Sequence, residues 1–217
     1  MCGRYVLYDM GEKFPVDHSL VQPKPRYNVA PTQEVPAIIR EEGRNILVPL
    51  HWGLVPFWAK DKKIGSRIIN AHMETLATKP AFRPAIKHRR CLIPANAFYE
   101  WKEEGGHKQP YYITPKPEAP FAFAGIWEVW DKEDPPYRSF ALITTDAAPS
   151  IENIHNRMPV ILKPEFFEAW LDPDSKNPME LLETGMVREM KYYPVSTRVN
   201  KAKDDDPGLI KPVGENR

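Results

Sequence analysis

Cysteine is scarce: Cys2 and Cys91 are the two in 217 residues. That excludes a disulfide scaffold and points to a reducing compartment, cytoplasmic or nuclear. Charge of one sign is missing as well, since 30 Lys and Arg face 29 Asp and Glu for a formal net charge of +1. A uniformly basic nucleic-acid coat is thereby excluded, though a local patch is not. Long hydrophobic runs are absent, and stretches such as Phe121 to Trp127 fall far short of a membrane span. The start, Met1-Cys2-Gly3-Arg4-Tyr5, lacks the basic and apolar regions of a secretion signal, and its glycine stands one place too late for myristoylation. The six histidines, at 18, 51, 72, 88, 107 and 155, show no paired-ligand spacing. No metal site or cofactor is therefore expected.

What the chain does have is proline, 24 residues scattered along it, which favours many short elements over long helices. Short β-rich runs recur at Arg4 to Leu7, Val35 to Ile39, Ile46 to Leu50, Cys91 to Ile93, Phe121 to Val129, Phe140 to Thr144 and Val160 to Leu162. Phe98 to Lys102 and Tyr111 to Thr114 flank Gly105-Gly106 as a hairpin with a longer loop. Helices are expected from Pro164, over Met179 to Glu183, and over Asn70 to Thr78. With no βαβ rhythm, the fold class is α+β: one domain over 1–217, a mixed, mainly antiparallel sheet or barrel-like core with short helices. From Asn200 the composition turns polar, around Asp204-Asp205-Asp206, so 200–217 reads as a polar tail, either loosely packed or extended along the surface. Nothing signals a coiled coil or an exposed helical stripe, and a monomer is expected.

Cys2 carries the most specific chemistry. Removal of the initiator methionine exposes an α-amine and a thiol on adjacent carbons, a pair that captures aldehydes. The amine forms an imine, and the thiol closes a five-membered thiazolidine on the same carbon. An α-amine of pKa near 7.8 is roughly 400 times richer in its neutral form at neutral pH than a lysine near 10.4. The thiol supplies thiolate more readily beside a cation such as Arg4. Position two alone favours a small buried hydrophobe on the first strand.

Further strings follow Met1-Cys2-Gly3-Arg4-Tyr5 in order. They are Arg26-Tyr27-Asn28-Val29-Ala30-Pro31-Thr32, Trp52-Gly53-Leu54-Val55-Pro56-Phe57-Trp58 and Ile69-Asn70-Ala71-His72-Met73-Glu74-Thr75. Then come Arg89 to Trp101, Ala124-Gly125-Ile126-Trp127 and His155-Asn156-Arg157-Met158-Pro159. The series resembles the SOS response-associated peptidase (SRAP) domain family over nearly the whole chain. The resemblance implies an enzyme that shields abasic sites in single-stranded DNA by forming a DNA-protein crosslink. After self-removal of Met1, Cys2 would be the nucleophile, Asn70 would orient it, Glu100 would shuttle protons, and His155 would assist methionine removal and crosslink reversal. Glu100, between Tyr99 and Trp101, is placed for partial desolvation, which raises a carboxyl pKa. Without the resemblance, Asn70 reads as a helix cap, Glu100 as a solvated carboxylate and His155 as a loop residue.

Single-stranded DNA is the expected partner. Arg4, Arg67, Arg83 and Arg157 are the candidate phosphate contacts, with Lys87, Arg89 and Arg90 nearby in sequence. Phe57 and Trp58 are assigned to stacking on bases, Trp52 and Phe82 to packing. His72 stands where the family pattern has an arginine, so its phosphate contact is expected to depend on pH. Two rival readings are a Cys/His peptidase acting on other proteins and a non-covalent single-stranded DNA binder. Only the first rival keeps Cys2 as nucleophile with His155 as base.

Overall fold

The computed structural model describes residues 2–214. The strands are β1 (Tyr5–Leu7), β2 (His18–Ser19), β3 (Arg26–Val29), β4 (Glu34–Glu41), β5 (Arg44–Trp52), β6 (Asn70–His72) and β7 (Arg90–Ala95). They continue through β8 (Ala97–Glu104), β9 (His107–Pro115), β10 (Phe121–Trp130), β11 (Tyr137–Asp146), β12 (Arg157–Pro159), β13 (Ile161–Leu162) and β14 (Met190–Pro194). Three short α-helices accompany them, α1 (Arg83–His88), α2 (Phe167–Leu171) and α3 (Pro178–Gly185).

The strands form two sheets. The smaller has the order β14-β9-β8-β1-β3, the larger β12-β11-β10-β7-β4-β5-β2. In the larger, β11 pairs with β10 on one side and with β5 on the other, so β11, β10, β7, β4 and β5 close on themselves. Most pairings are antiparallel, and the expected α+β fold with a barrel-like core is the observed one.

The pleat decides what each strand buries. Along β10, Phe121 and Phe123 turn into the core shared by both sheets, while Ala122, Ala124 and Ile126 face the helices outside. Both faces are thus covered, which is why β7 and most of β10 read as unbroken apolar runs. The central core contains Cys2, Tyr5, Trp52, Phe98, Phe123, Phe140 and Leu142. Trp52 is fully buried against Tyr5 and Phe140, and its indole N–H donates to Ile69 O at 2.9 Å. Phe82 lies in the outer apolar layer beneath the helices, with Ala85 and Ile86 of α1. Both aromatics therefore pack, as assigned.

The hairpin of β8 and β9 turns at Gly105 and Gly106, whose φ values of +56° and +79° need no side chain. Helix α3 and the helical turn opening at Pro164 stand where expected. The helix expected over Asn70 to Thr78 is absent. Asn70–His72 is instead a strand, paired in parallel with Leu142–Thr144, and only Met73–Thr75 makes a 3₁₀ turn. Ladder pairing with β11 and complete burial of Ala71 override the helix propensity of this run.

The polar stretch after Asn200 runs along the surface, with Leu209 buried beneath it. Val195, Val199 and Ile210 cover the outer face of the smaller sheet, over Val6, Ala97, Tyr99 and Tyr112. Asp205 accepts from the backbone N–H groups of Tyr27 and Asn28 and pairs with Arg26 at 2.5 Å. Asp205 is thereby tied to β3, while Asp206 pairs with Arg198. The last three residues of the span expected to be a tail, and Met1, lie outside the described residues.

Candidate active site

Cys2 enters the central core just before β1 and is fully buried. β1 lies between β3 and β8, with Tyr5 opposite Phe98 and Val6 opposite Ala97. Two residues beyond Phe98 along β8 stands Glu100, on the same face and 3% exposed. Burial raises its pKa to about 7, because the charged form loses its hydration. The expectation ascribed that desolvation to Tyr99 and Trp101. The pleat turns both to the opposite face, and the central core desolvates the carboxyl instead.

The thiol of Cys2 is pushed well up, first by burial and then by the negative charge of Glu100. Its Sγ lies 3.8 Å from Arg4 O as a weak donor. A neutral thiol beside a carboxyl that ionises near neutrality is the electrostatic character of the site.

Asn70 sits on β6, the strand that replaced the expected helix. Its Nδ2 donates to Cys2 O at 2.9 Å, so it caps no helix and fixes the backbone of the cysteine. Its Oδ1 is buried and has no hydrogen-bond partner. The parallel pairing places Asn70 beside Leu142 and His72 beside Thr144, whose buried hydroxyl also has no partner.

His155 closes the loop between β11 and β12. Ile151, Ile154 and Met158 of this region share the central core with Cys2. The N–H of Arg157 donates to His155 Nδ1 at 3.0 Å, which in the neutral ring leaves the proton on Nε2. Partial burial lowers the histidine pKa and favours that neutral form.

The residues assigned to DNA divide into two groups. Arg157 donates to Glu74 at 2.7 and 3.0 Å, to Asp146 at 2.8 Å and to Thr144 O at 2.8 Å. Arg4 donates to Val199 O at 2.6 Å and Asn28 Oδ1 at 3.2 Å. Both guanidinium groups are committed to protein acceptors. Arg67 and Arg83 are exposed, and Phe57 and Trp58 are 48% and 49% exposed. Arg90 and Arg89 are structural: Arg90 is buried against Trp170 and backbone carbonyls, and Arg89 pairs with buried Glu128 at 2.8 Å.

Trp58 and Arg67 line a groove of about 430 Å³ together with Lys60 and Lys63. A close backbone crossing sets the start of this loop. Gly53, at φ +135°, faces Gly65 so closely that a Cβ would stand 2.6 Å from Gly65 O. The lysines of the loop and the hydroxyl of Thr144 were not singled out from sequence. A lysine in a polar loop and a threonine in a strand carry no local signal; the fold alone brings the lysines beside Trp58 and Arg67 and sets Thr144 across the ladder from His72. Among the described residues, no cluster of His, Cys, Asp and Glu could hold a metal ion, and no helix is long and apolar enough to cross a membrane.

A scan against family models matches residues 1–202 to the SOS response associated peptidase (SRAP) model. The chain belongs to the SRAP family. This SRAP chain is 43% identical to the abasic site processing protein YoqW of Bacillus subtilis, over 97% of the chain and 99% of that protein. It is 31% identical to the abasic site processing protein YedK of Escherichia coli, over 98% of the chain and all of that protein. Among solved structures, a protein from Bacteroides thetaiotaomicron superposes with a TM-score of 0.75 at 31% identity, covering 86% of this chain and 85% of that one. The SRAP match ends before Asp204 and Asp205, two of the residues that hold β3 from the C-terminal side.

Proposed function

We propose that this SRAP protein processes abasic sites in single-stranded DNA by covalent capture of the ring-opened sugar at Cys2, once its own Met1 has been removed. The observation that carries the reading is the hydrogen bond from Asn70 to Cys2 O, which seats the cysteine beside the buried Glu100 carboxyl. The names of the relatives, abasic site processing proteins, support the substrate class.

The α-amine of Cys2 attacks the aldehyde carbon to form a carbinolamine. Glu100 in its acid form gives a proton to the departing hydroxyl, water leaves, and an imine forms. The sulfur then adds to the imine carbon as the thiol proton passes to the ring nitrogen, closing the thiazolidine. The balance is aldehyde plus aminothiol giving thiazolidine and water. A carboxyl titrating near 7 is suited to giving and retrieving a proton at neutral pH. Neutral His155, with its proton on Nε2, serves Met1 removal and reopening of the ring.

DNA binding on this reading uses His72, Arg67 and Arg83 for phosphates and Phe57 and Trp58 for bases, while Arg4 and Arg157 hold the site together. The raised pKa of the thiol favours amine-first capture over a peptidase acting on other proteins, which depends on a ready thiolate.

The test is a denaturing gel of the protein with single-stranded DNA carrying one abasic site, beside Cys2→Ala and intact-base controls. A heat-stable shifted band that needs both Cys2 and the abasic site is expected. No such band from protein shown to lack Met1 overturns the reading.

A further inference from the structure

The back of the active site is held from outside the core. Asn200 is exposed, yet its Oδ1 accepts from the indole Nε1 of Trp101 at 2.7 Å. Its backbone carbonyl lies 3.4 Å from Nη2 of Arg4. Trp101 is the residue after Glu100, and Arg4 is two residues from Cys2. The pleat of β8 places Glu100 on the inner face and Trp101 on the outer one.

We propose that Asn200 is a positioning residue, a tie across the outer face that fixes the strand bearing Glu100 against the segment bearing Cys2. This inference rests on the aldehyde-capture reading for its activity test. The backbone of Asn200 has anchors of its own nearby. Val199 O accepts from Arg4 Nη1 at 2.6 Å and from Asn28 Nδ2 at 3.2 Å. The same amide, on a fully buried Asn28, donates to Lys201 O at 3.1 Å and Asp204 O at 2.8 Å. Asn200→Ala therefore removes the link to Trp101 and leaves the segment seated. β8 stays paired with β9 through Trp101 and Pro110, but among the described residues its pairing with β1 ends at Tyr99, so without that link this side gains play and Glu100 shifts relative to the nucleophile.

The experiment compares wild type, Asn200→Ala and Asn200→Asp. In Asn200→Ala, the crosslinking rate at saturating abasic DNA is expected to fall about three- to tenfold, the effect of one lost hydrogen bond. The DNA concentration giving half the maximal rate stays unchanged. Asn200→Asp keeps an oxygen acceptor for the indole and restores the rate. Titration of the Glu100 carboxyl, followed by carbon NMR without DNA, moves in Asn200→Ala and returns in Asn200→Asp. A wild-type rate in Asn200→Ala overturns the proposal. So does a loss confined to half-saturation, or an Asp variant as slow as Ala. If wild type itself forms no adduct, the aldehyde-capture reading fails, and the Glu100 titration alone decides whether the tie exists.

Discussion

Asn70 and Cys2, 68 positions apart in the chain, are joined by one hydrogen bond of 2.9 Å from Nδ2 to the cysteine carbonyl. The bond exists because residues 70–72 join β11 as a strand. Replacing Asn70 by Asp puts a carboxylate oxygen against that carbonyl. Crosslinking is expected to fall at least about tenfold, with about 1–3 kcal/mol lost from stability. A crosslinking time course and urea melts of the same preparation check both numbers.

Glu100 makes the fold itself pH-dependent. Its folded pKa of about 7 lies above the ordinary 4.5, so the folded protein holds this proton more tightly than the unfolded chain. The contribution is fully present below 4.5 and is lost as pH rises through about 7. The size is on the order of 3 kcal/mol. Urea midpoints on either side of this window should show the decline in wild type and lose it in Glu100→Gln. The same variant should remove an inflection near pH 7 in the crosslinking rate.

His72 is tested in binding rather than in chemistry. Its surroundings are mixed, with Glu74 on the following turn, Arg157 paired to Glu74 and Asp146, and Thr144 across the ladder. His72→Arg adds a permanent cation and is expected to bind single-stranded DNA more tightly than wild type, steepening the salt dependence by about one ion. Equal salt dependence in wild type and His72→Arg sinks the assignment.

Trp58 and Trp52 should respond in opposite ways. Trp58 is 49% exposed, so Trp58→Ala is expected to weaken single-stranded DNA binding by about 1–3 kcal/mol while changing the fold by less than about 0.5 kcal/mol. Trp52 is fully buried. Trp52→Ala is expected to cost about 3–5 kcal/mol of stability. Fluorescence anisotropy and thermal melts on the two variants separate the roles.

Much of this was legible in the residues, unevenly. Alternation and apolar runs located β4, β5, β7, β8 and β10, because burial leaves its mark inside a single strand. The order of the short motifs singled out Cys2 and Glu100, and the fold brings the two near one another. What could not be read was whatever depends on a distant partner. The run 70–78 looks helical until β11 is beside it, and β3 carries no apolar pattern because Asp205 and Asn28 hold it through polar contacts. The arginines are ambiguous for the same reason. A guanidinium looks alike in sequence whether its acceptor is a phosphate or, as for Arg4, the carbonyl of Val199.

The contact between Arg4 and Val199 spans 195 positions, and it has a consequence for the birth of the protein. Translation delivers Arg4 long before the Val199 that braces it. A nascent chain that has not reached Val199 thus holds Cys2 without the carbonyl that seats Arg4. On the proposed reading, aldehyde capture would then wait for the Val199 segment to be made and docked.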